Sequence, residues 1–346
     1  VKDNFEKLGD VAGGMVAGMS ACRAVETRVP SSRKEWLSDR RSTIGASELP
    51  ALFGVHAHMT PFELFAIKSG QYRREFREAD IRENSIHLPP TERGNALEPV
   101  AFELLRRLRP TWSVIPNQIP GGQVFVDTLS RMSSTPDAFL IDPTREGRGS
   151  FQVKSMASSI FDRDWKPNGE PEPPVAVAIQ AIADATLSDC RWACAGAIVA
   201  GYGIDLYLFD IPLHASLMAK ARGLVADFWD RIEDERPYPP DFARDGAAIA
   251  AIYADDDGTE INLASSNRIT EVVARREELK AIETAGSAAE KERKLLDDEL
   301  RFALGNATRG RLADGRIVEA KVVKRRGFTV EPSQSRPVKI RESKSA

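Results

Sequence analysis

Apolar and polar positions alternate from Asp137 to Asp142, around Phe139 and Ile141, and again from Ser150 to Ser155, with the turn formers of PTREGRG between the two runs. That pattern predicts a pair of short strands closed by a turn. Side chains two apart on a strand share a face, so Gln152 and Lys154 point one way while Phe151 and Val153 point the other. A further strand is predicted from Gly121 to Leu129. Ahead of it, Leu97, Ala101, Leu104, Leu105 and Leu108 recur at helical spacing, in a helix that opens near Arg93 and stops at Pro110. Glu98 falls near the start of that helix, either as half of a capping box with Asn95 or as an oxygen donor beside the hairpin. Further upstream, Ser47 reads as the N-cap of an apolar helix through Leu49, Leu52 and Phe53. The free backbone N–H groups there, with Arg40 nearby, would suit a phosphate.

Downstream of the hairpin, Pro173-Pro174 introduces VAVAIQAIADATL, a helix apolar nearly all round and therefore buried, with Gln180 in its middle. A buried glutamine needs hydrogen-bond partners, structural or catalytic. Trp192 to Val199 and Ile204 to Ile211 read as strands about the Gly201-Tyr202-Gly203 turn, and Leu213 to Glu235 reads as a helix packed on them. Asp255-Asp256-Asp257-Gly258 marks a boundary. Beyond it, Asn267 to Leu304 is a charge-rich helical pair broken near Gly286-Ser287 and capped by Gly305. Arg311 to Lys324 then reads as a hairpin with a two-residue turn at Asp314-Gly315. The expected organisation is a poorly ordered segment over 1–34, one domain over 35–254, and a C-terminal helical segment with a basic hairpin tail over 255–346.

At 346 residues the chain can hold one domain of about 200 to 250 residues and an appendage. No apolar run approaches the roughly 20 residues that span a bilayer, and VAGGMVAGMSACRAV near the start lacks the basic flank of a signal peptide. Cys22, Cys190 and Cys194 form no CxxC pair, which fits buried thiols in a reducing cytoplasm. The net charge of -3 argues against a uniformly basic nucleic-acid binder, yet residues 306–346 carry eleven Lys/Arg against four acids. A basic module on an acidic body is compatible with phosphate contacts. No repeat, P-loop or dinucleotide fingerprint is present.

The chemistry concentrates in Pro136-Asp137 and Gln152-Val153-Lys154. An acid, an amide oxygen and an ammonium would converge at a sheet edge, an arrangement that resembles the PD-(D/E)xK core of metal-dependent nucleases, with glutamine at the second acidic position. Four signals follow one another: Trp36…Arg40…Ile44-Gly45-Ala46-Ser47-Glu48, then Gly94…Leu97-Glu98-Pro99, then Pro136-Asp137…Gln152-Val153-Lys154, and Gln180 twelve residues before Trp192. Together they resemble the YqaJ-like viral recombinase family, phage nucleases related to the lambda exonuclease, from about Trp36 to Asp241.

The resemblance implies an α/β, restriction-endonuclease-like core with a central mixed sheet flanked by helices. It implies that Asp137, Gln152, Glu98 and the Val153 carbonyl hold Mg²⁺ or Mn²⁺. Lys154 would orient or deprotonate the attacking water, Gln180 would position it, and Arg40 and Ser47 would grip the DNA phosphate. The implied activity is 5′ resection of linear double-stranded DNA in the cytoplasm of a bacterial host, giving a 3′ strand for a single-strand annealing protein, with a phage or prophage origin. A ring-shaped homo-oligomer, often a trimer, goes with it. The alternatives are a catalytically decayed DNA-binding module that keeps the fold, and an endonuclease on the same core.

Overall fold

Five strands carry the expected hairpin: β1 (Ser113–Pro116), β2 (Ala138–Ile141), β3 (Arg148–Ala157), β4 (Trp192–Ala200) and β5 (Ile204–Ile211), side by side in that order. They belong to a computed structural model that describes residues 25–74, 79–283, 286–324, 334–335 and 338–341. The pairs β1–β2, β2–β3 and β4–β5 are antiparallel and β3–β4 is parallel, so the sheet is mixed. A parallel pair needs a long crossover. Here it runs through the helices Ser158–Asp164 and Val175–Leu187 and returns to β4.

Helix α1 (Pro90–Leu108) packs Ala101, Phe102 and Leu105 on one face of the sheet, against Ala138, Leu140, Phe151, Val153, Trp192, Cys194 and Ile198. Helix α2 (Val175–Leu187) packs along β4 and β3. The fold is thus α/β with a central mixed sheet flanked by helices, and the alternation along β3 is as expected: Phe151 and Val153 join the α1 core. Gln152 and Lys154 instead meet Gln180 of α2.

A second sheet orders Val25–Arg28, Val124–Asp127, Met132–Ser134 and Ile44–Gly45. Its first strand lies inside the stretch expected to be poorly ordered, whose remainder up to residue 24 lies outside the described residues, as does Cys22. Cys190 and Cys194 are buried free thiols.

The described residues fall into two compact units, one within Val1–Met59 and Glu75–Arg236, the other within Thr60–Arg74 and Pro237–Ala346. In the second unit the helices Asn267–Glu283 and Ser287–Leu304 pair, as predicted, and cover a sheet of Glu260–Asn262, Arg309–Arg311, Ile317–Ala320 and Val338–Arg341. Val272, Val273, Leu300, Leu304, Leu312 and Val318 form its core.

The expected two-residue turn is corrected to three residues. Leu312 N–H donates to the Arg316 carbonyl at 2.9 Å and Gly315 N–H to that of Leu312 at 3.1 Å, with Gly315 at φ +84°. A turn closed by a left-handed glycine accommodates the extra residue without splaying the strands.

Much of the expected basic surface is internally balanced. Arg309 and Lys321 pair with Glu319, Arg311 with Glu260, and Arg316 with Asp314 and Glu277. Among the described residues no helix is long and apolar enough to cross a membrane.

Gly196 of β4 stands opposite Val153, and a Cβ there would lie 2.6 Å from the Phe151 ring, which is fully buried. Overpacking of this kind costs about 1–3 kcal/mol. Gly196→Ala is therefore expected to lower the urea midpoint with an unchanged slope; an unaltered midpoint would show that the ring can give way.

Candidate active site

Asp137 ends the approach to β2, where its N–H donates to the Phe151 carbonyl at 3.1 Å and its carbonyl accepts from Asn117 N–H at 3.0 Å. Those two bonds fix the backbone on either side of the side chain. Asn117 is itself locked, its amide donating to the carbonyls of Gln123 and Pro136 at 2.9 and 3.0 Å. The Asp137 carboxylate lies across the middle of β3, where Oδ2 accepts from Val153 N–H and Gln152 Nε2, both at 2.6 Å.

From there a chain of side-chain bonds crosses to α2. Gln152 Oε1 accepts from Gln180 Nε2 at 2.7 Å, and Gln180 Oε1 accepts from Lys154 Nζ at 2.8 Å. An ammonium only donates and an ionised carboxylate only accepts. With Lys154 at one end and Asp137 at the other, the orientation of both amides follows: each turns its oxygen toward the lysine and its nitrogen toward the aspartate. Gln152 thus presents nitrogen to Asp137, whereas the expected ligand set has it present oxygen to a cation. Its nitrogen also reaches the Val153 carbonyl, at 3.3 Å.

Glu98 enters from α1. The helix begins at Pro90, three residues earlier than expected, because proline at the first helical position is preorganised for it. Asn95 and Glu98 are therefore interior to the helix and the capping-box reading is corrected. Glu98 instead precedes Ala101, Phe102 and Leu105 on one helical stripe. That stripe brings its carboxyl to a cleft of about 510 Å³ shared with Asp137, Gln152, Lys154, Gln180 and Asp184.

Burial dominates the electrostatics of this cleft. It pushes the Glu98 carboxyl up to about 7, with the Asp137 charge adding and Lys154 opposing. It likewise pushes Asp137 up to about 6, against Lys154 and the N–H groups of Val153 and Gln152. Lys154 is lowered by burial, opposed by Asp137, Asp184 and Glu98. Burial penalises the charged form of each acid, so Glu98, Asp137 and Asp184 hold their protons to a higher pH than an exposed carboxyl does.

At one end of the cleft, Arg40 Nη2 donates to Ser47 Oγ at 2.9 Å and lies 3.6 Å from Glu48 Oε1. Its guanidinium sits 4.9 Å from the centre of the Trp36 ring, whose Nε1 donates to Thr135 Oγ1 at 3.3 Å. Gly45 leaves the room for this, since a Cβ there would come within 2.8 Å of Arg40 Nη2. Arg40 and Ser47 are brought together as expected, but Ser47 is not the N-cap. The helix is only Leu49–Leu52, flanked by Glu48, and Glu48 Oε2 accepts from Gly45 N–H at 2.8 Å.

One cleft residue escaped the pattern analysis. Asp184, four residues after Gln180 and so on the same face of α2, is buried, and its Oδ1 accepts from Ser134 Oγ at 2.8 Å. An acid within an otherwise apolar helix was the available signal. Asp142, where the first predicted strand ends, holds Thr144 N–H and hydroxyl at 2.9 and 2.7 Å and Arg145 at 3.2 Å and does not line the cleft. Among the described residues no group of three or more His, Cys, Asp or Glu is gathered to hold a metal.

The model of the YqaJ-like viral recombinase domain matches residues 35–190. None of the curated proteins matches the chain. Among solved structures, the alkaline exonuclease LHK-Exo of Laribacter hongkongensis aligns at 17% identity over 59% of this chain and 94% of that one, with a TM-score of 0.44. The same enzyme in complex with dAMP aligns at 14% identity over 59% and 94%, with a TM-score of 0.42. At such identity and TM-score a likeness assigns no residue and no activity. The family match stands independently of it, and the stretch that carries Arg40, Glu98, Asp137, Lys154, Gln180 and Asp184 is the one that matches the YqaJ-like viral recombinase domain.

Proposed function

We propose that the chain is a metal-dependent deoxyribonuclease of phage-type recombination, resecting linear double-stranded DNA from the 5′ end and leaving a 3′ strand for an annealing protein. The observation that carries this reading is the chain of hydrogen bonds from Lys154 through Gln180 and Gln152 to Asp137, in a cleft that also holds Glu98, Arg40 and Ser47. The family match supports it. The proposed setting is a bacterial cytoplasm, with a phage or prophage origin. A homotrimer is part of the same reading, and light scattering of the purified protein tests it.

The donor set fits a hard cation such as Mg²⁺ or Mn²⁺ that keeps several waters, since one or two carboxylates with substrate oxygens can suffice. Asp137 and Glu98 would hold it, with the Val153 carbonyl and, after a turn of its amide, the Gln152 oxygen. When bound, such an ion supplies a hydroxide-like nucleophile and neutralises charge on the scissile phosphate. Lys154, held by Gln180, directs its ammonium at the developing negative charge on phosphorus-bound oxygen. Arg40, steadied on Trp36, and the Ser47 hydroxyl would take the terminal phosphate, competing there with Glu48 for the guanidinium.

One observation favours a second reading, a DNA-binding module with weakened catalysis: the second acidic position of the motif is a glutamine already bonded on both sides. At about 4 Å and an effective dielectric near 20, a missing unit charge removes roughly 4 kcal/mol of attraction per cation charge before desolvation.

Incubation of 5′-phosphorylated linear duplex with Mg²⁺ or Mn²⁺ separates the readings. Release of nucleotides, reduced by about two orders of magnitude or more in Asp137→Ala and Lys154→Ala, is expected. Binding without release would favour the second reading, and cutting of covalently closed circles would point to an endonuclease.

Gln152→Glu places a carboxylate against Asp137. It is expected to lower the metal concentration needed for half-maximal activity, and an unchanged requirement would exclude Gln152 as a ligand.

Because a cation must displace protons from Asp137 and Glu98, held up at about 6 and about 7, metal affinity is expected to rise with pH from 5.5 and level off above about 7. Calorimetric titration checks this, and a flat profile would remove both residues from the ligand set.

A further inference from the structure

Asp184 is the one acid of the cleft that the hydrolytic reading leaves without a task. Its side chain is 1% exposed, and while Oδ1 accepts from Ser134, Oδ2 is buried without a hydrogen-bond partner among the described residues, the Gln180 amide being close enough to help hold the carboxyl down. Buried polar groups of this kind require an explanation. Lys154 shares the cleft, and its ammonium has three N–H groups, of which Gln180 Oε1 takes one. No direct ion pair joins Lys154 to Asp184 within 4.0 Å among the described residues. An unfilled acceptor and unfilled donors of opposite charge, lining one polar cavity beyond direct reach, match a molecule that donates to one and accepts from the other. Water does both, and such a seat gives it the two or more polar partners that it needs.

We propose that Asp184 is a positioning residue for Lys154: through one bridging water, its Oδ2 holds the ammonium from the α2 side of the cleft. The role rests on the hydrolytic reading above. When Asp137 and Glu98 hold a cation, their charges are neutralised, and Asp184 remains the anion facing Lys154. The ammonium then has two anchors on α2, Gln180 directly and Asp184 through water, both one helical turn apart on a rigid element.

An acid kept for this purpose should cost stability. Burial raises the Asp184 carboxyl to about 7, so above that pH the folded protein carries a charge that the unfolded chain accommodates more easily. A merely structural acid behaves the other way, since removing it loses a needed contact.

The test is Asp184→Asn, which keeps the shape and can still accept from Ser134. At pH 8 its unfolding midpoint is expected to rise, while kcat for metal-dependent nucleotide release falls about tenfold or more with KM nearly unchanged. An unchanged kcat, or a lowered midpoint, overturns the proposal.

Should the wild-type protein release no nucleotide, the hydrolytic reading fails by itself, and a crystal structure judges the seat separately. A water within hydrogen-bond distance of both Asp184 Oδ2 and Lys154 Nζ supports it. Direct contact between those atoms, or no ordered water between them, overturns it.

Discussion

Two glutamine amides stand between an ammonium and a carboxylate, and the geometry of the cleft depends on that bridge. Lys154, Gln180, Gln152 and Asp137 come from two adjacent strands and one helix, and each amide bond in the series has its direction fixed by the charge at the far end. Reversing either amide would set oxygen against oxygen or nitrogen against nitrogen. A series of this kind is worth more as a unit than its bonds are singly, because each link polarises the next in a medium of low dielectric. It also holds the lysine and the aspartate apart, so that neither neutralises the other by direct contact.

The rest of the first unit supplies what that bridge needs. The parallel pairing of β3 and β4 requires a crossover, and α2 is the helix within it that delivers Gln180 and Asp184 to the face of β3 carrying Gln152 and Lys154. On the other face, Phe151 and Val153 are fixed under α1, with Gly196 making space for the Phe151 ring. The pleat therefore cannot slip by one residue without moving an amide and a charge into the hydrophobic core and two hydrophobic side chains into the cleft. Packing on one face sets the register, and the register sets the chemistry on the other.

Gln152 shows how local context changes what a motif means. Within the resemblance it occupies an acidic position, and as an oxygen donor it would face a cation. In the fold it relays between Gln180 and Asp137 and offers nitrogen to the acid. With a carboxylate at this position the Gln180 bond could remain, but the bond to Asp137 would become a repulsion that only a cation could relieve. Glu98, Asp137 and Asp184 are all raised, chiefly by burial, and Lys154 opposes the shift in each.

Much of this could be read from the chain alone. The alternation around Phe139 and Phe151 determined the hairpin and the facing of Gln152 and Lys154, since period two leaves no other choice. The apolar run from Val175 to Leu187 determined a buried helix, and the ordered signals from Trp36 to Gln180 carried the resemblance to the family whose model matches residues 35–190. Tertiary structure decided the rest. Glu98 belongs to a helix interior because Pro90 starts the helix early, and Ser47 answers to Arg40 rather than to a helix end. Asp184 faces the cleft because α2 is laid across β3. Sequence spacing fixes which side chains share a face of one element; which faces then meet is set by packing between elements far apart in the chain, and that is where Lys154 acquired its partners.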